Sequence, residues 1–102
     1  MEPLIFFKCL ADETRLKALM LISLKESLCV CDIQYCLNLS QPKISRHLAE
    51  LRKCNLVISS RKGKWIYYQL NPELPDWAKE VLQKVTVEQQ QSLKSCLAAL
   101  HC

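Results

Sequence analysis

The chain has 102 residues, half of them apolar, with one glycine, seven cysteines and a formal net charge of +4. That length makes a single domain, 1-102, with enough apolar content for one core, and the scarcity of glycine favours helices joined by short turns. No apolar run approaches the ~20 residues of a membrane span, and the start MEPLIFFK lacks the pattern of a secretory leader, so a cytoplasmic protein without a membrane partner is expected.

Leu4, Phe7 and Leu10 recur at helical spacing, which predicts a short first helix over about 3-10. Asp12 is placed to cap a second helix whose apolar residues Leu16, Leu19 and Met20 are joined by Leu21, Ile22 and Leu24, so that helix is expected to be buried on more than one side. Lys25-Glu26-Ser27 ends it. Val30, Ile33 and Leu37 share a face over two turns, and Asn38-Leu39-Ser40 breaks the pattern. Ser40 as N-cap and Pro42 in the first turn then open a helix with Ile44, Leu48 and Leu51 on its core side. Two helices joined by so short a turn, the second one basic, predict a helix-turn-helix over about 30-53.

Leu56 to Ser60 and Trp65 to Leu70 are β-rich runs on either side of the only glycine, Gly63, giving a hairpin wing over about 56-70 with a cationic tip. From about 75 to 100 the chain reads as helix again. Ala78, Val81, Leu82 and Val85 form one stripe and Leu93, Cys96, Leu97 and Leu100 another, with Thr86-Val87 as the expected weak point. The fold class is therefore mainly α with a β-hairpin wing, a winged helix-turn-helix. Its N- and C-terminal helices are left to pack on a second copy of the chain, a homodimer matching two half-sites on double-stranded DNA.

Charge supports the same partner. Between residues 40 and 64, Lys43, Arg46, Arg52, Lys53, Arg61, Lys62 and Lys64 face only Glu50, whereas the rest of the chain holds more acids than bases. A basic block on a slightly acidic protein is the footprint of a nucleic-acid face. With Ile44, Leu48 and Leu51 turned inward, the helical angle sends Arg46 outward. Gln41, Lys43, Ser45 and Arg46 become the expected readers of base edges. Arg61, Lys62 and Lys64 become phosphate contacts, and His47, near the core flank, is expected to make a structural hydrogen bond.

Clustered cysteines in a reducing compartment indicate metal binding or thiol chemistry more often than disulfides. Cys29-Val30-Cys31 is the informative cluster, since thiolates select thiophilic ions. On a regular helix these two residues stand about 200° apart and cannot hold one ion. The helix must therefore begin after Cys29, or unwind there on binding. Asp32 follows Cys29 at the spacing of a capping box. Such a site would act on the helix that supports the basic reader.

The runs LCVCDI, SQPKISRHLAELRKCNLV and RKGKWIYYQLNPELPDWA, preceded by LADETRLKAL, resemble the ArsR branch of the ArsR/SmtB family of bacterial metalloregulatory repressors over nearly the whole chain. The resemblance implies a homodimeric winged helix that represses a resistance operon and leaves its operator when arsenite or antimonite binds. It maps the inducer ligands to Cys29 and Cys31. The third cysteine common in this branch would fall at position 34, where this chain has Gln34. Three sources of a third ligand remain open: Cys36 after local unwinding, placed first, Cys9 from the first helix, or a small exogenous thiol. Cys9 otherwise reads as a core residue, Cys54 as incidental, and Cys96, His101 and Cys102 as a possible second cluster. The family's acidic-and-histidine zinc pattern is missing from the C-terminal part.

Two other readings compete. One keeps the DNA-binding dimer but makes cadmium, lead or thiol oxidation the trigger. The other is a small thiol enzyme such as an arsenate reductase. Against it, the sequence offers neither a phosphate-cradling loop nor a Cys-x-x-Cys pair, and the expectation is that the protein is no enzyme.

Overall fold

The computed structural model describes residues 1–98. In chain order the elements are α1 (Pro3–Leu10), α2 (Glu13–Lys25), β1 (Leu28–Cys29), α3 (Val30–Leu37), α4 (Gln41–Lys53), β2 (Val57–Lys62), β3 (Trp65–Leu70), α5 (Asp76–Glu88) and α6 (Gln90–Ala98). No helix among the described residues is long and apolar enough to cross a membrane.

Helix α1 has the expected bounds, and the face it turns to the core is not the one its spacing marked as helical. Phe6 and Cys9 are inside, whereas Leu4, Ile5 and Phe7 are about half exposed. The contact that selects this face is tertiary: Phe6 meets Trp77 of α5 edge-on, with ring centroids 5.0 Å apart. Asp12 caps α2 as expected, its carboxylate accepting the backbone N–H of Arg15 at 2.9 Å. Ala18 to Ile22 are buried without interruption, because α2 is the central rod of the fold and packs against α5, α4, α3 and β3.

The helix-turn-helix is α3 and α4. Asn38 ends α3 in the left-handed conformation, φ 53° and ψ 48°, its N–H bonded to the Gln34 carbonyl. Ser40 stands at the N-cap of α4 with extended backbone, although its hydroxyl makes no capping bond, and Pro42 sits in the first turn. Ile44, Leu48 and Leu51 are buried, as their spacing required.

The wing is broader than a hairpin. Strands β2 and β3 pair antiparallel around Gly63, which has the positive φ, 64°, that a glycine adopts without strain. A third strand, β1, which its two-residue length hid from pattern reading, pairs on the other side of β3 and gives the order β1-β3-β2.

The C-terminal region is two helices. The break falls at Gln89, whose N–H bonds the Thr86 and Val87 carbonyls, rather than at Thr86-Val87, which remain helical. Leu93 carries α6 onto the core. Leu100, His101 and Cys102, parts of the expected stripe and second cluster, lie outside the described residues.

Candidate functional site

Cys29 is where strand becomes helix. Its backbone is extended, φ −80° and ψ 160°, because it still pairs with Tyr67 of β3, and α3 begins only at Val30. This break from helical geometry brings the Cys29 and Cys31 Sγ atoms to 2.6 Å. The two thiols thus converge with no unwinding of the first turn. Of the two arrangements the sequence left open, the helix starts after Cys29. Cys29 is almost fully buried and Cys31 is partly exposed.

Asp32 joins them. It is buried, and one of its carboxylate oxygens lies in a group with the two sulfurs whose members are all within 4.8 Å of one another. The capping-box role suggested by its spacing is not formed at Oδ1, which meets no hydrogen-bond donor among the described residues. The sequence spacing pointed to Asp32 only as a helix cap. Its place beside the thiols depends on the strand-to-helix turn at Cys29.

The structure does not bring Cys36 to this pair. It forms a disulfide with Cys96, with Cα atoms 5.6 Å apart, tying α3 to α6. The reason is helical phase: Cys36 is about 140° around α3 from Cys31, on the side that α6 covers. The bond also lines a cavity of about 360 Å³ between α2, α3 and α6, with Lys17, Leu21 and Ser92 among its walls. Cys9 is likewise elsewhere. It is a buried core residue, as expected, and burial, followed by a hydrogen bond with Cys54, pushes its thiol up to about 12. Cys54, expected to be incidental, is its partner at the C-terminal end of α4.

Beside the thiol pair runs a cleft of about 290 Å³, lined by Val30, Cys31, Gln34, Gln41, Lys64, Trp65 and Ile66. One opening therefore touches a thiol, the first residue of α4 and the tip of the wing. Pattern reading had no signal for this meeting, since it depends on β1 pinning Cys29 to β3.

On α4, Gln41, Lys43, Ser45 and Arg46 are all exposed, with Arg46 nearly opposite the core stripe. So are Arg61, Lys62 and Lys64 at the wing. Arg61 Nε donates to the Gly63 carbonyl at 3.2 Å. Lys62 Nζ lies 5.1 Å from the Tyr67 ring centre, and Lys64 Nζ lies 5.5 Å from that of Trp65. Arg52 Nη1 reaches Ser59 Oγ at 3.4 Å and couples the end of α4 to β2. His47 Nδ1 is 3.6 Å from Asp12 Oδ2, an ion pair when the imidazole is protonated rather than the expected structural hydrogen bond. The Asp12 carboxyl is held below its ordinary range, chiefly by the Arg15 N–H and also by His47.

Residues 12–59, the stretch from the α2 cap through the recognition helix, match the family of bacterial regulatory proteins called arsR. Over 103 residues the chain is 44% identical to the arsenical resistance operon repressor of Escherichia coli, covering 98% of this chain and 88% of that protein. The chain belongs to the ArsR family. It is also 48% identical over 93 residues to the arsenic resistance transcriptional regulator ArsR1 of Pseudomonas putida, covering 91% of this chain and 73% of that protein. Among solved structures, reduced HlyU from Vibrio cholerae superposes with a TM-score of 0.75 at 28% identity, over 86% of this chain and 88% of that one. The AntR antimony-specific transcriptional repressor shares the fold, with a TM-score of 0.70 at 22% identity over 89% of this chain and 79% of that one. As an ArsR-family winged helix, the chain is a DNA-binding transcriptional regulator of the repressor type and not an enzyme.

Proposed function

We propose that this protein represses an arsenic-resistance operon and leaves its operator when arsenite or antimonite condenses with the thiols of Cys29 and Cys31. The observation that carries the reading is the convergence of those two sulfurs, 2.6 Å apart, at the start of α3. Thiolate donors select a thiophilic ion. The place of the pair supplies the coupling. Cys29 is paired with Tyr67 of the wing, and Cys31 shares a cleft with Gln41 and Lys64. Seating one atom between the two sulfurs spreads them from this separation and shifts the strand-to-helix joint, and with it the relative position of α4 and the wing. DNA then sees a reader and a phosphate clamp that no longer fit one groove.

In this reading Gln41, Lys43, Ser45 and Arg46 read base edges, and Arg61, Lys62 and Lys64 hold phosphates. Two copies act together. The outward apolar face of α1, Leu4, Ile5 and Phe7, with Val87 of α5, is what a dimer would cover. The test is operator binding by a Cys29→Ser/Cys31→Ser variant. DNA affinity is expected to persist while release by micromolar arsenite under reducing conditions is lost. A variant that still responds puts the inducer elsewhere.

One observation favours a second trigger, thiol oxidation. The Cys36–Cys96 bond spans α3 and α6 and lines a cavity. If it governs repression, operator affinity changes on reduction in the absence of any metalloid, and Cys36→Ser abolishes that change.

A further inference from the structure

Trivalent arsenic makes three bonds, and this chain brings two sulfurs to one point. Position 34 is Gln34, the Cys36 sulfur is committed to Cys96, and Cys9 lies against Cys54. What stands beside the pair is Asp32, 6% exposed, with a carboxylate oxygen inside the 4.8 Å group. Its Oδ1 meets no hydrogen-bond donor among the described residues. A buried carboxylate oxygen left without a donor is costly, and native proteins keep few of them.

We infer that Asp32 is the third group of the inducer site, accepting a hydrogen bond from the hydroxyl that arsenite or antimonite retains after it has condensed with Cys29 and Cys31. This rests on the thiol-pair reading above. The step balances without redox chemistry. As(OH)₃ and two thiols give a dithiolate As–OH and two waters. Two As–O bonds break, two As–S bonds form, each thiol proton leaves on a water, and arsenic stays trivalent. The remaining hydroxyl is a donor, and Asp32 Oδ1 is an acceptor that no donor among the described residues meets. A direct carboxylate bond to arsenic is the weaker alternative, because a hard oxygen competes poorly for a thiophilic centre.

Two probes separate this role from a merely structural one. Hydrated phenylarsine oxide carries a phenyl group on arsenic, loses both hydroxyls on reaction with two thiols, and leaves nothing for Asp32 to accept. In Asp32→Ala, arsenite affinity should fall about tenfold, the effect of losing one buried hydrogen bond, while phenylarsine oxide binds as to the wild type. Equal losses for both probes would overturn the inference in favour of a structural role. X-ray absorption on the wild-type protein with arsenite and a phosphine reductant, free of added thiol, gives a readout independent of any variant; the reductant also opens the Cys36–Cys96 bond, so that the phase of α3 alone keeps Cys36 from the pair. Two sulfur neighbours and one oxygen are expected. Three sulfurs would overturn the inference and leave the thiol-pair reading standing. Arsenite bound equally well by Cys29→Ser/Cys31→Ser would defeat both.

Discussion

Replacing Cys36 by serine tests the most unexpected covalent feature of the fold. Cys36 and Cys96 are 60 positions apart in sequence, so their bond closes a loop covering more than half of the chain. Chain-entropy arguments give a loop of this length about 4 kcal/mol of stabilisation at 25 °C, by restricting the unfolded ensemble. With a urea m-value of about 1.5 kcal/mol per M, that is a midpoint shift of roughly 3 M. The assay is urea unfolding followed by circular dichroism, with and without reductant, at one fixed protein concentration so that self-association does not move the baseline. Oxidised wild type should unfold last. Reduced wild type and Cys36→Ser in either condition should coincide at the lower midpoint. Peptide mapping of the oxidised protein should recover Cys36 linked to Cys96. If reductant leaves the wild-type midpoint unmoved, or if Cys36→Ser still answers to reductant, the bond does not hold α6 to α3 in solution and the argument fails.

Asp12→Ala removes the α2 cap and should cost about 1 kcal/mol at neutral pH, read from the same unfolding curves. Because the folded carboxyl titrates below its ordinary value, the contribution is complete above that value and fades as pH falls through the depressed one. The difference between wild type and variant should therefore hold from pH 7 to about pH 5 and shrink towards pH 3; a difference that grows in acid would contradict the sign. At the wing, Arg61→Ala and Lys64→Ala should each lower the salt dependence of operator binding by about one unit of log–log slope while leaving sequence preference intact. Arg46→Ala, on the reading helix, should instead relax discrimination at a base position by about 1–3 kcal/mol, measured on a panel of mutated operators.

Periodicity and turn chemistry by themselves determined the helix-turn-helix, the wing and the basic face. The reason is that each rests on local rules: an apolar stripe at Ile44, Leu48 and Leu51, a proline in the first turn at Pro42, a lone glycine between two β-rich runs. Spacing gave α1 as a helix but not its inward side, because an eight-residue helix with apolar residues all round carries no local mark of which side is inside. Phe6 rather than Leu4 or Phe7 is buried because Trp77, 71 positions away, is there to receive it. The break at Gln89 was likewise invisible, being made by backbone bonds and not by a helix-breaking residue.

The candidate site divides in the same way. That Cys29 and Cys31 matter could be read from residue type and spacing. The same spacing counted against joint binding, since two residues apart on a helix means opposite sides. Only the tertiary structure decided the matter. The pairing of Cys29 with Tyr67 holds it in extended geometry, lets α3 begin one residue later, and so turns the two sulfurs together with Asp32 beside them. Cys36 was favoured for its nearness in sequence and is excluded from the pair by the phase of α3, which turns it to Cys96. Residue chemistry is local, but which ligands meet is set by strand pairing and helix packing between segments distant in the chain.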